Sequence, residues 1–391
     1  MPFTLVKVES PKSKREFLEV PVSLYKNNPN WIRPLDNDIE SIFDPKKNKR
    51  FRHGEAIRWI LKDEHGHSVG RVAAFIDGKI AKANGQPTGG MGFFECINNQ
   101  VAANTLFDAC KNWLALKGME AMDGPINFGE RDRWWGLLLD GPYPPNYCMD
   151  YHHSYYKTLF ELYGFKPYFY QYTYHLPVTD EYVDPVMWEK AQRIANNPDY
   201  EIRNISKKYL TKFAEDFVTI YNKAWGRYTG VGKMTKPQAM AMLKEIRPIL
   251  DERLMLFAYF KNDPIGFLIM VPDINQAVKY LNGNFNVWGK LKLIYLVRVK
   301  KVCTKALGLV FGIIPQHQGK GVEGALVKGF ANWALRDDYP YTDIEMNWIG
   351  DFNPTMRKVV EQIGARVRKT HITMRFMFDP TKEVVPPRKV S

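Results

Sequence analysis

The sequence predicts an α+β fold made of two tandem domains of one plan, each a mixed, mostly antiparallel sheet flanked by helices. Three observations carry that expectation. The chain has 391 residues, more than one domain usually holds. Hydrophobic residues make up 45% and charged residues 25%, enough to bury sizeable cores without disulfide staples. The order of elements read from the first half returns in the second.

Each element has a local reason. Pro29, Pro34 and Pro45 argue against a long helix in the segment ahead of Phe51. Residues 56–62 and 69–76 are β-rich runs around the turn Asp63-Glu64-His65-Gly66, which makes a hairpin. Residues 92–96 form a further short strand. From 99 to 117, Val101, Leu106, Ala109, Trp113 and Leu116 recur near helical spacing, and Gly118 stops the helix. Residues 121–126 read as a strand, 155–163 as a helix stopped by Gly164, and 169–176 as a strand. Pro177, Pro185 and Pro198 mark a junction around a short helical piece holding Trp188.

The second half runs through the same order. Residues 209–225 and 237–250 read as helices, and 254–260 and 265–271 as a hairpin around Lys261-Asn262-Asp263-Pro264. A basic insertion comes next, in which Lys290, Lys292, Arg298, Lys300 and Lys301 interleave with Leu291, Leu293, Ile294, Leu296 and Val297; that pattern is amphipathic. Then come a strand at 306–313, a helix at 321–335, a strand at 343–348, a helix at 354–363 stopped by Gly364, and a strand at 370–378. Gly164 and Gly364 hold matching places, as an internal duplication would leave them. The expected division is a first domain over 1–180, a linker over 181–198, a second domain over 199–380 and a tail over 381–391.

Bulk properties narrow the function classes. Cys96, Cys110, Cys148 and Cys303 show no C-x-x-C spacing, so neither a disulfide framework nor a zinc site is expected. No segment approaches the roughly 18 uncharged apolar residues of a membrane span. No signal peptide is expected at the start, and the expected location is cytoplasmic. The net charge of +13 favours anionic partners such as coenzyme phosphates, nucleic acid or anionic lipid. Aromatic residues crowd between Tyr143 and Tyr174 and are read as core.

The stretch that carries chemistry is Gly312-Ile313-Ile314-Pro315-Gln316-His317-Gln318-Gly319-Lys320-Gly321-Val322, between a buried-type strand and a helix. Glycines let backbone pass close to a diphosphate, free N–H groups at the helix start point at it, and the helix dipole favours its charge. Lys320 adds a cation. The stretch resembles the acetyl-CoA loop of the GNAT (Gcn5-related N-acetyltransferase) superfamily, which reads Gln or Arg, two residues, Gly, one residue, then Gly or Ala. Here those places are Gln316, Gly319 and Gly321.

The resemblance covers roughly residues 200–378 and makes the first half a degenerate copy, with Cys96-Ile97-Asn98-Asn99-Gln100 at the matching turn. It implies acetyl-CoA or a longer acyl-CoA as co-substrate, with no metal. Phe311, Gly312, Ile313 and Ile314 would contact pantetheine and the acyl carbonyl. Gln316, His317, Gln318, Gly319, Lys320, Gly321 and Val322 would hold the diphosphate. Asn353, before Pro354, matches the family's second signature; as an N-cap it also has a purely structural role. The tyrosine that many members carry as general acid is missing, since Val359 and Val360 stand near its place. Glu345 is the expected general base, with Tyr341, Asp343 and His371 behind it.

The implied activity is direct attack of a small-molecule or peptide amine on the thioester. Two other readings remain open: a tandem transferase using aminoacyl-tRNA, like the Fem peptidoglycan enzymes, and a non-catalytic acyl-CoA sensor. Nucleic acid is not the favoured partner. Two further groups stand out. His152-His153 is a weak metal candidate, and Arg131-Asp132-Arg133-Trp134-Trp135 is either a substrate grip or an interdomain contact.

Overall fold

The computed structural model describes residues 3–82, 85–179, 185–225 and 233–384. Residues 181–184 of the expected linker and 385–391 of the expected tail lie outside them. The first half holds β1 (Thr4–Lys7), α1 (Pro11–Leu24), α2 (Asp36–Ile42), β2 (Gly54–Lys62), β3 (Ser68–Asp77), β4 (Thr88–Cys96), α3 (Gln100–Leu116), β5 (Ala121–Gly124), β6 (Leu137–Asp140), α4 (Tyr156–Tyr163) and β7 (Lys166–Pro177). The second holds α5 (Pro185–Ala195), β8 (Tyr200–Asn204), α6 (Leu210–Trp225), α7 (Lys236–Ile246), β9 (Met255–Phe260), β10 (Asp263–Pro272), α8 (Asn275–Val278), α9 (Val287–Ile294), β11 (Lys305–Ile313), α10 (Val322–Ala334), β12 (Asp343–Gly350), α11 (Pro354–Gln362) and β13 (Arg366–Met377).

The expected absence of a long helix ahead of Phe51 is wrong. Pro11 stands in the first turn of α1, where its missing N–H is no loss, and Ser10 and Ser13 cap that end reciprocally. Phe17, Leu18 and Val20 of α1 are buried. The prolines that argued against a helix all come after α1.

Among the described residues one sheet runs β1-β2-β3-β4-β5-β13-β7-β12-β11-β10-β9-β8, with β6 beside β13. Each end reads alike: three antiparallel pairings, then a parallel one, β4 with β5 and β11 with β12. Beyond that the halves exchange strands. The last strand of the first half, β7, pairs with β12, and the last strand of the second, β13, pairs with β5. The two then pair with each other at the centre. A linear division of the chain does not anticipate this exchange.

Each half adds one long connection that its counterpart lacks. In the first half residues 125–155 join β5 to α4, whereas α11 follows β12 after only Asp351, Phe352 and Asn353. In the second half residues 273–304 join β10 to β11, whereas 78–87 suffice between β3 and β4. Aromatics fill the first core, where Phe94 stacks on Phe107 with centroids 4.7 Å apart and Phe160 packs edge-on against both.

Candidate functional site

Strand pairing explains where the sheet opens. β11 pairs with β12 from Lys305↔Asp343 to Gly308↔Met346 and no further. Against β10, Gly308 faces Met270 and Val310 faces Ile269, so Leu309 is the extra residue of a bulge. Past the bulge the β12-facing edge of β11 has no strand partner among the described residues. Gly312 permits the close packing there: a Cβ at this position would collide with the Trp225 indole of α6.

The loop from Pro315 to Gly321 then turns into α10. Gly319 and Gly321 both sit at positive φ, 72° and 100°. Their surroundings differ. A Cβ at Gly319 would meet nothing within 4 Å, whereas one at Gly321 would lie 3.0 Å from the Lys190 carbonyl oxygen of α5. Gly321 is therefore also demanded by helix packing, and Gly319 by its backbone conformation alone. Gly321 caps α10 without a side-chain bond, so the first N–H groups of this 13-residue helix keep their capacity for an anion.

The other predicted loop residues have varied surroundings. Gln316 and Lys320 are exposed. His317 lies beside the Tyr200 hydroxyl at 3.3 Å, and burial together with Lys320 lowers its pKa. The Gln318 amide donates to the Ile313 carbonyl at 2.8 Å, which takes that acceptor out of play. Ile314 is buried and donates its N–H to the Ile265 carbonyl. Val322 opens the helix, and Phe311 is half-buried on β11. Glu323 was not foreseen: its carboxylate accepts from the Gly319 N–H at 2.9 Å, inside the expected anion cradle. Asn353 caps α11 by accepting from the Met356 N–H at 3.1 Å.

Glu345 sits elsewhere. The register puts it opposite His175, on a face of the central strands that also carries Lys305, Thr173, Gln171, Lys369 and His371. Residues 125–155 roof this face. The Lys305 ammonium lies 3.3 Å from Glu345, 3.0 Å from Asp273 and 2.7 Å from the Asn146 side-chain oxygen. Lys369 pairs closely with Glu345. Burial alone would raise the Glu345 carboxyl, but Lys369 and Lys305 outweigh it and hold the pKa at about 2. Burial draws the Lys369 ammonium down to about 8 against the pull of Glu345. A carboxylate so paired takes no proton near neutral pH, so the geometry argues against Glu345 as general base.

The weaker candidates sort by partner. Burial holds His371 at about 4, and its Nε2 faces the Asp150 carbonyl at 3.1 Å. Tyr341 donates to Asp251 at 3.0 Å. Asp343 bonds His175 Nε2 at 2.6 Å; burial would raise this carboxyl, but His175 and Thr342 outweigh it and lower it. The His175–Asp343 pair is partly exposed, and sequence reasoning missed it because His175 comes from the first half's exchanged strand. Nothing in the residues around position 175 signals that pairing.

His152 and His153 are engaged elsewhere. His152 accepts from the Leu138 N–H, and the His153 ring stacks on Tyr25. The Arg131–Trp135 loop touches the second half: the Trp348 indole donates to the Arg131 carbonyl at 2.8 Å, and Arg133 lies 3.9 Å from Glu245.

No family model matches the chain. Two curated relatives align over nearly all of it. One is the bacterial ceramide synthase of Caulobacter vibrioides (strain NA1000 / CB15N), 24% identical over 373 residues, covering 94% of this chain and 96% of that one. The other is Protein YghO of Escherichia coli (strain K12), 26% identical over 361 residues, covering 91% of each. Among solved structures, a tandem GNAT protein from the clavulanic acid biosynthesis pathway has a TM-score of 0.53 at 10% identity, over 97% of this chain and 100% of that one. A GCN5-related N-acetyltransferase from Sphaerobacter thermophilus has a TM-score of 0.50 at 10% identity, over 98% of each. At such identities the structural likeness is one of fold: this chain has a tandem GNAT fold.

Proposed function

We propose that this tandem GNAT fold moves an acyl group from acyl-CoA, held by the second half, to the primary amine of a long-chain amino alcohol. The observation that carries the reading is the opening of β11 from β12 after Gly308, leading into a helix start with open space at Gly319. Pantetheine would lie along the unpaired edge of β11, and the diphosphate at the N-terminus of α10. The acceptor class comes from the 24% likeness to a ceramide synthase, a ceramide being the amide of a long-chain amino alcohol. It refines the broader expectation of a small-molecule or peptide amine. An acetyl donor then becomes one case of a range of acyl lengths.

The chemistry asks little of the side chains. The amine nitrogen attacks the thioester carbonyl, the C–S bond breaks, and the thiolate leaves. Main-chain N–H groups beyond the Leu309 bulge polarise the carbonyl. The proton lost by the amine would pass along water molecules in the cleft to His175, which Asp343 orients through the 2.6 Å bond. Across β12, His175 stands about two strand spacings, roughly 10 Å, from β11. Tyr174 supplies a hydroxyl to α11, which has no tyrosine: it donates to Glu361 at 3.1 Å and accepts from Arg357 at 3.2 Å. Both His175 and Tyr174 come from β7, so the exchanged strand would complete the site. We place this activity in the cytoplasm, where acyl-CoA is made and used.

Calorimetric titration with acetyl-CoA and palmitoyl-CoA tests the reading. Wild type should bind at least one, and Gly319→Glu should weaken that binding on the order of a hundredfold, because any side chain strains the backbone at φ 72° and a carboxylate there also repels the diphosphate. Gly319 is the better probe than Gly321, since a side chain at 319 meets open space. Absence of binding to either ligand would remove the reading.

A further inference from the structure

The connection between β10 and β11 has a surface that the acyl-transfer reading does not use. From 274 to 304 the chain has six cations, Lys279, Lys290, Lys292, Arg298, Lys300 and Lys301, and no acidic residue. Among the described residues none of the six is in an ion pair. Lys292 and Arg298 are instead anchored to the main-chain carbonyls of Tyr280 and Pro248.

An apolar ridge runs between these cations. Val287, Trp288, Leu291, Ile294, Tyr295 and Val299 are all exposed, Trp288 by 77%. Their spacing is that of one helix face. α9 continues into a wider π turn over Tyr295–Val299, which brings Val299 into line with the ridge. The opposite face is fixed: Leu293, Leu296 and Val297 pack with Leu35, Ile274 and Val278, and the Asp36 N–H donates to the Gly283 carbonyl at 2.9 Å. The ridge is therefore held rigidly outward, at solvent-exposure levels that cost free energy unless something covers it.

We infer that this ridge docks the protein on an anionic phospholipid bilayer, with α9 lying flat in the interface. Tryptophan, tyrosine and branched aliphatic residues flanked by lysine and arginine match that boundary: apolar groups enter the acyl zone and cations meet the phosphates. The 13 residues Val287–Val299 reach about 20 Å, too short to span a bilayer and suited to lying on one. A second copy of the chain fits worse, since a two-fold contact would oppose six unpaired cations with six more. Nucleic acid would use the cations but leave the ridge in water. The docking also orients the site. The insertion ends at the Lys305 end of β11, the end opposite the Gln316–Gly321 loop, so coenzyme would enter from the aqueous side and a lipid-like amine from the membrane side. That last step rests on the proposed function; the docking does not.

The test is flotation of the full chain with vesicles, read without any activity assay. One vesicle set is phosphatidylcholine alone, and the other contains about one-third phosphatidylglycerol. Wild type should float with the anionic set and weakly or not at all with the neutral one. Trp288→Ser with Leu291→Ser should cut anionic-vesicle binding about tenfold or more, with an unchanged melting curve, because both side chains are exposed. Lys300→Glu with Lys301→Glu should abolish the preference for anionic vesicles. No flotation with anionic vesicles at low salt would overturn the proposal. So would binding that both double variants leave intact, or a solution dimer that Trp288→Ser with Leu291→Ser dissolves without any vesicle binding in wild type. Loss of coenzyme binding in the Gly319→Glu variant with vesicle binding retained separates this surface from the site.

Discussion

β4 leaves β5 after Gly90↔Asp123, and β11 leaves β12 after Gly308↔Met346. Both departing strands carry a bulge: Glu95 and Gly92 flank it in β4, Val310 and Gly308 in β11. Beyond the bulge the two halves differ. In the first half the gap is filled from within. The Ile126 N–H donates to the Met91 carbonyl at 2.8 Å, and a Cβ at Gly92 would strike the Ile126 carbonyl. The Tyr155 hydroxyl donates to the Cys96 carbonyl, and the Tyr156 hydroxyl accepts from the Cys96 N–H while donating to Glu95. The start of α3 is capped by the Asn99 side chain, whereas α10 starts at a glycine. The first copy closes its splay with its own donors and acceptors, whereas the edge of β11 beyond Gly308 pairs with no strand among the described residues. A degenerate duplicate is thus recognisable by the partners its splayed strand has found as much as by lost glycines.

The largest expected effect lies at the centre, which belongs to neither copy. Glu345→Gln leaves the buried Lys369 without its paired anion, while Lys305 keeps Asp273, and should lower stability by about 3–5 kcal/mol in urea unfolding. The same group sets an acid limit. Its folded pKa, about 2, lies below the ordinary 4.5, so its contribution is complete above 4.5 and is lost as pH falls from there through 2. That lowering corresponds to about 3 kcal/mol. A flat stability profile over that window would show that the charges are not coupled as described.

Next in size is the exchanged strand. If β7 completes the second half's site, His175→Asn should reduce kcat by about a hundredfold or more while acyl-CoA affinity holds, and the loss should shrink at high pH as more amine is free. An unchanged kcat would confine β7 to a structural role. A smaller effect belongs to the filled copy. Tyr156→Phe strips one donor from Glu95 and one acceptor from the Cys96 N–H, both buried, and should cost about 1–3 kcal/mol with coenzyme binding unaltered. Weakened coenzyme binding in that variant would mean that the plug in the first half supports the opening in the second.

Periodicity and punctuation made the element order legible. Gly118, Gly164 and Gly364 end their helices, and the two hairpins fall where their turns stand. α1 was hidden because prolines beyond the end of a helix say nothing against it. The loop Gln316–Gly321 was legible because its demand on backbone is local. The partners of Glu345 were not: Lys369 reaches it from the strand that crosses into the other half, and Asn146 from a roof more than a hundred residues away in sequence. Strand exchange leaves no periodic signal, since β7 and β13 alternate alike whichever sheet they join. The basic insertion could be seen as amphipathic, but which of its faces is covered depends on Leu35 and Ile274, contacts that only folding supplies.

The smallest effect concerns a donor of the anion cradle that the open copy spends on its own carboxylate. Glu323 accepts the Gly319 N–H at 2.9 Å and stands in the first turn of α10. If acyl-CoA binds as proposed, its diphosphate must displace this carboxylate and tolerate its charge. Glu323→Gln should therefore raise acyl-CoA affinity by about threefold to tenfold, less than about 1.4 kcal/mol. The same change removes an anion from a helix N-terminus and should lower stability by a few tenths of a kcal/mol up to about 1. The two signs are opposite, which makes the variant informative. Because the repulsion is between exposed charges, the affinity gain should shrink when titrations are repeated at high salt. A loss of affinity in Glu323→Gln would mean that the carboxylate holds the loop in its receptive form, and that the second copy, like the first, depends on an internal occupant of its own splay.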